Sequence, residues 1–196
     1  MCGRYALYSK DKIFSKFGVN ISKNFNISPS QNVFIIDEEL SIKSLKWGIK
    51  AKWMKKSIIN ARNETLFEKR IFSNLRRCVF LADGYFEWKR LNNTKIPFFH
   101  YLRNDFLFFA GIYDESGCCI VTKESFKYLS DIHSRQPYFL KEDQIESWIK
   151  NANQKLFFDN FILFHQVSSA VNRVWNNSPE LIQEKKRYEL IFNDNQ

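Results

Sequence analysis

The second residue of the chain is a cysteine, in Met1-Cys2-Gly3-Arg4. A Met followed by a small residue is normally removed, which leaves Cys2 with a free α-amine beside its thiol. The pair is chemically distinctive because both groups titrate near neutrality, the amine at about 7.7–8.0 and the thiol at about 8.5. An aldehyde meets the amine first and forms an imine; the thiol then adds to the imine carbon and closes a five-membered thiazolidine. Each step moves protons, so a carboxylate or imidazole is needed within hydrogen-bond reach. The plain alternative is a frayed terminal cysteine with no task.

Partners for such chemistry are few. Of the three histidines, His100 in PFFHY and His165 in FILFHQV sit in aromatic or apolar runs and are expected to be packed. His133, in DIHSRQP, lies in a polar segment after an expected helix, where a loop can present it to a site. Glu87 follows the Asp83-Gly84 pair in GYFEW, and alternation from Phe86 puts it on the opposite face, which by itself predicts solvent exposure. Asn60-Ala61-Arg62 falls where an expected strand meets an expected helix, and Arg62 there is suited to a phosphate. Cys78 in CVFLA and Cys118-Cys119 in CCIVT read as core or strand residues. No Cys/His spacing suggests zinc, and no cofactor is expected.

The charge has an address. The chain of 196 residues carries 30 Lys and Arg against 21 Asp and Glu, a net charge of +9. Between Lys43 and Arg77 stand eleven basic and two acidic residues, interleaved with Trp47, Trp53, Phe67 and Phe72, while the rest of the chain balances. Cations among aromatics suit a single-stranded nucleic acid, whose phosphates attract the charge and whose bases stack on flat apolar faces. A solvated face in a Lys- and Asn-rich composition is the alternative.

Elements must hold these residues. The length fits one domain over 1–196, with no repeats and enough apolar residues (44%) for a core. No apolar run suggests a membrane span or signal peptide, so a soluble, cytoplasmic protein is expected. Ser9 followed by KDKIFSKFG predicts a short helix with Ile13, Phe14 and Phe17 inward and Gly18 closing it. Asp83-Gly84 between apolar runs reads as a hairpin turn. Strands are expected at 33–37, 97–102, 106–113 and 118–122, paired antiparallel across short loops, with helices at 64–75, 124–129 and 142–150. The class is α+β: one domain with a strongly twisted, mainly antiparallel, barrel-like β-sheet core and peripheral helices.

Taken in order, several segments resemble the SRAP (SOS response-associated peptidase) family of abasic-site processing proteins. They are Met1-Cys2-Gly3-Arg4-Tyr5, Asn26-Ile27-Ser28-Pro29-Ser30-Gln31, Trp47-Gly48 with Trp53, Asn60-Ala61-Arg62-Asn63-Glu64-Thr65, Ala82-Asp83-Gly84-Tyr85-Phe86-Glu87-Trp88, Ala110-Gly111-Ile112-Tyr113, Ile132-His133-Ser134-Arg135-Gln136-Pro137 and Val167-Ser168 through Val171-Asn172. The resemblance spans residues 2–182, with Ala51 and Leu81 where the family usually has Pro and Gln136 where it often has Met. It implies a monomer acting in the DNA damage response on single-stranded DNA that contains abasic sites. In that role Cys2 is the nucleophile for imine and then thiazolidine, Glu87 assists sugar ring opening and proton transfer, His133 serves Schiff-base chemistry and crosslink reversal, and Asn60 positions the reacting groups. Arg4, Arg62, Arg70 and Arg135 are implied phosphate contacts, and Trp53, Trp88 and Pro29 stack on bases or wedge beside the lesion. AP-lyase cleavage is an implied side reaction of the imine, and a peptidase activity exposing Cys2 is suggested.

Two other readings stand beside this one. Glutamine amidotransferases of class II also begin Met-Cys-Gly, with the processed cysteine attacking an amide; ammonia release from glutamine distinguishes them. A non-catalytic single-stranded nucleic-acid-binding module would bind without preference for abasic sites and without need of Cys2.

Overall fold

A computed structural model describes residues 2–50, 55–66, 68–150 and 158–185. Trp53, an expected stacking residue, lies outside the described residues. The strands are β1 (Tyr5–Leu7), β2 (Asn24–Ile27), β3 (Asn32–Ile36), β4 (Ile42–Lys46), β5 (Asn60–Arg62), β6 (Arg76–Ala82), β7 (Gly84–Leu91), β8 (Thr94–Tyr101), β9 (Leu107–Asp114), β10 (Gly117–Glu124), β11 (Arg135–Pro137), β12 (Phe139–Leu140) and β13 (Leu163–Gln166). Among the described residues the α-helices are α1 (Lys10–Phe17) and α2 (Ile145–Ile149). One sheet runs β13-β8-β7-β1-β2. The other runs β11-β10-β9-β6-β3-β4, with β12 on β9 and β5 joined parallel to β10. The α+β class and the antiparallel bias are as expected, while the two sheets twist without closing into a barrel.

The sheets enclose the main core, where Tyr5 meets Trp47, Phe80 and Phe109 edge-on with ring centroids 5.3–6.5 Å apart. Each such fully buried side chain contributes roughly 1.5–3 kcal/mol by leaving water. A second, smaller core forms behind β7, where Phe86 and Phe99 pack with Val167, Val171 and Leu181. The first half of β7, from Gly84 to Glu87, is therefore covered on both faces.

Asp83-Gly84 is not a hairpin. β6 pairs with β3 and β9 in one sheet and β7 with β1 and β8 in the other, so the pair marks where the chain crosses between sheets. The Asp83 carboxylate accepts from the N–H groups of Tyr8 and Ser9, at 2.5 and 2.8 Å, and steadies the entry to α1. Gly84 is required by close approach, since a Cβ there would lie 2.3 Å from the Phe99 ring and 2.6 Å from the His100 carbonyl oxygen. The hairpin in this region is β7–β8, turned by Asn92 at φ 52° and Asn93.

Three expected helices differ. Residues 64–75 contain two separate 3-10 turns, Asn63–Thr65 and Arg70–Phe72, because the buried Leu66 and Phe72 are six residues apart, a spacing that makes no helical stripe. In 124–129, Glu124 ends β10 and the following turns are tied by Phe126 N–H to the Gln136 side chain (2.8 Å) and Ser125 N–H to Ser134 O (3.0 Å). The 142–150 segment opens as a 3-10 turn, Glu142–Gln144, and continues as α2. Helix α1 closes at Gly18 with φ 68° as read, and Ile13 is buried, but Phe14 is exposed.

Candidate active site

Cys2 precedes β1, a strand flanked on both sides by β2 and β7 and therefore fixed in position. It is fully buried rather than frayed. Phe86 N–H donates to Arg4 O at 2.9 Å just downstream. The Asn60 side-chain amide, at the head of β5, donates to Cys2 O at 2.8 Å. Since β5 belongs to the other sheet, this bond ties the Cys2 backbone across the seam between them. Asn60 Oδ1 is buried with no hydrogen-bond partner among the described residues, which leaves an acceptor available to an incoming N–H or O–H.

Glu87 is 4% exposed, against the expectation of a solvent-facing carboxylate. Alternation places it on the Tyr85 side of β7, and that side packs into the main core, where Tyr85 meets Phe109 and Phe139. Period-two reasoning assumed one wet face, whereas β7 has none along this stretch. Burial first, and then the nearby Glu87 charge, push the Cys2 thiol far above its ordinary range. Cys2 is thus held as a neutral thiol in the resting site.

His133 lies in the loop before β11. Its Nδ1 faces the Arg135 backbone, 3.0 Å from the N–H and 3.2 Å from the carbonyl oxygen. Glu87 and His133 line one cleft of about 370 Å³ together with Trp88, Arg90, Lys95 and Asn172. The Trp88 indole N–H donates to Asn172 Oδ1 at 2.8 Å, fixing the ring against the wall.

The expected phosphate-contacting arginines divide. Arg62 and Arg70 are exposed outside the cleft. Arg4 Nη1 is engaged with Asn26 Oδ1 and Val171 O, both at 2.8 Å. Arg135 grips both carboxylate oxygens of Glu64, at 2.7 and 2.9 Å, and also reaches Thr122 O at 2.7 Å. Pro29 is half-buried in the turn after β2. Arg90 and Lys95 were not singled out from sequence, and Asn172 stood only at the end of a motif, with no role. Alternation along β7 carries the signal for Arg90, which shares a face with Trp88, and the β7–β8 register sets Lys95 opposite it.

Asn26, which opens one of the motifs, was given no role from sequence. Buried at 1% exposure, it accepts from Arg4, and its amide donates to Val171 O (3.3 Å), Arg173 O (3.1 Å) and Asn176 O (2.7 Å). It pins the segment that carries Asn172 onto β2.

A family model described as SOS response associated peptidase (SRAP) matches residues 1–174. The chain belongs to the SRAP family. Among its relatives, "Abasic site processing protein YoaM" of Bacillus subtilis is 34% identical, covering 93% of this chain and 97% of its own. "Abasic site processing protein YedK" of Escherichia coli is 31% identical, with 93% and 99% covered. "Abasic site processing protein HMCES" of Pongo abelii is 30% identical over 88% of this chain and 66% of its own. The crystal structure of a Bacteroides thetaiotaomicron protein, 20% identical, superposes with a TM-score of 0.80 over 94% of this chain and all of the other, so the two share a fold. Among the described residues no group of three or more His, Cys, Asp and Glu is arranged to hold a metal, and no helix is long and apolar enough to cross a membrane.

Proposed function

We propose that this SRAP protein captures abasic sites in single-stranded DNA by a covalent bond to Cys2. Glu87 carries the reading: one buried carboxylate both lines the cleft and bears electrostatically on the Cys2 thiol. Once Met1 is removed, the Cys2 α-amine attacks the ring-opened sugar aldehyde, forming a carbon–nitrogen bond and expelling water. Glu87 assists ring opening and the proton transfers. His133 donates a ring proton to the departing hydroxyl and serves the reverse reaction.

The neutral thiol fits this order of events. Burial, and then the Glu87 charge, make ionising Cys2 unfavourable, so the amine leads. The protonated imine then places a positive charge beside the sulfur and lowers the penalty on thiolate character. The sulfur adds to the imine carbon, the carbon–nitrogen π pair moves to the nitrogen, which keeps the proton it already carries, and the thiol proton passes to the Glu87 carboxylate as the thiazolidine closes. Asn60 holds the Cys2 carbonyl through these steps and offers Oδ1 to the nitrogen or sugar hydroxyl. Lyase cleavage competes from the open imine; ring closure suppresses it and shields the strand.

Incubating the Met1-processed protein with single-stranded DNA containing one abasic site is expected to give an adduct that survives denaturation and has the mass of protein plus DNA minus one water. Absence of that adduct overturns the proposal. Cys2→Ser is expected to keep a borohydride-trappable imine and lose the stable product, because the amine remains and the thiol does not.

A further inference from the structure

Trp175 is 80% exposed, the most exposed of the large hydrophobic side chains among the described residues, and the adjoining Val174 is 47% exposed. Phe161 and Phe164, also exposed, have ring partners: Phe161 stacks on Tyr128 at 4.6 Å, and Phe164 meets Phe98 and His100. Trp175 has no ring partner among the described residues. Its exposure does not come from a loose segment. Asn26 holds the carbonyls of Arg173 and Asn176 on either side of it, Asn176 N–H closes onto Arg173 O at 3.0 Å, and Asn177 bonds to Phe25 N–H and Lys23 O on β2 and its approach. The backbone that carries the indole is held from within, and the ring projects outward from it.

The position ties Trp175 to the cleft. Asn172 lines the cleft wall and fixes Trp88, and Trp175 follows three residues later, so at most about 11 Å of chain separates them. Arg90 and Lys95 line the same cleft, which supplies cations beside an exposed aromatic face. Phosphate-attracting charge with a rigid, sequence-tolerant stacking surface is the pairing that single-stranded nucleic acid requires.

We propose that Trp175 is a stacking platform for a nucleobase flanking the lesion on the strand that leaves the cleft. This rests on the abasic-site reading above. An abasic nucleotide has no base of its own to bind, so affinity at the lesion must come from its neighbours. A stacked flanking base supplies that affinity and sets the register of the sugar relative to Cys2.

The test uses two single-stranded oligonucleotides with one abasic site, one with adenines on both sides and one with base-less tetrahydrofuran spacers there, which carry no aldehyde. The second-order rate of adduct formation is measured for the native chain, Trp175→Ala and Trp175→Phe. Alanine is expected to slow capture about 5- to 150-fold with adenine flanks and to leave the spacer substrate unchanged, with phenylalanine retaining most of the rate. Equal rates for native and alanine proteins on the adenine substrate overturn the proposal, as does an equal loss on both DNAs. If the native chain forms no adduct on either DNA, the capture reading fails separately. The platform is then judged by equilibrium binding of intact and spacer-containing strands, where the same base-dependent loss is expected and its absence overturns it.

Discussion

Replacing Asn26 by alanine removes more of the site's framework than any other single polar substitution described here. The side chain accepts one charge-assisted bond from Arg4 and donates to three carbonyls. An amide nitrogen has two hydrogens, so the three acceptors share about two full bonds. At roughly 1 kcal/mol for each neutral bond and about 1.5–3 for the bond to the guanidinium, the loss is about 3.5–5 kcal/mol. For a chain of this size each kcal/mol shifts Tm by about 2–4 °C, which gives an expected drop of roughly 7–20 °C. Asn26→Asp keeps the acceptor for Arg4 but loses the donors to Val171, Arg173 and Asn176, so it should fall between native and alanine. Calorimetry at neutral pH measures the shift. Adduct formation, assayed well below the new Tm, should also slow, because Asn172 and Trp175 lose their anchor. A Tm within 2 °C of native for Asn26→Ala would refute the idea that this residue pins the 171–177 segment.

Other expectations are narrower. Arg62→Ala should weaken capture of abasic DNA far more than Lys55→Ala, measured as adduct rate against salt; equal effects would reduce the basic segment to a solvated face. Burial holds the His100 imidazole neutral down to about 3, so its contribution to stability is complete above the unfolded value near 6.5 and is lost as pH falls from there towards 3. His100→Phe, which keeps the ring stacked on Tyr85, should flatten the Tm–pH curve in that window, and an unchanged slope would contradict the assignment. Hydrogen bonding from Arg135 holds the Glu64 carboxyl below its usual range, so its stabilisation is present above about pH 4.5 and lost as pH falls through the lowered value. Glu64 is 46% exposed, so Glu64→Gln should lower stability at pH 7 by less than about 1 kcal/mol, with native and variant converging in acid.

The parts legible in sequence were those with local causes. The hairpin from β9 to β10 was readable because two polar residues separate two apolar runs, and Gly18 closed α1 as its position suggested. Cys2 stood out by type and place. Glu87 could be named but its burial could not, since the second core over Phe86 is built partly from Val167, Val171 and Leu181, far along the chain. Asp83-Gly84 looked like a turn because the dipeptide is common in hairpins, while its actual task, capping Tyr8 and Ser9 and clearing space for Phe99, involves partners elsewhere. Asn26 was visible as part of a motif, but its task was not, since its carbonyl partners lie 145–150 residues away.

Those separations have a kinetic consequence. The Arg4–Val171 bond closes a span of 167 residues, and Cys2 is joined to Asn60 across 58. Contacts so distant in sequence form late, because the chain entropy of closing the loop is lost before the contact can repay it. A growing polypeptide emerging from the ribosome therefore carries Cys2 from the start but lacks the surroundings of the folded site until the 171–177 segment is released. For the covalent capture proposed above, topology alone would set a delay between synthesis and action.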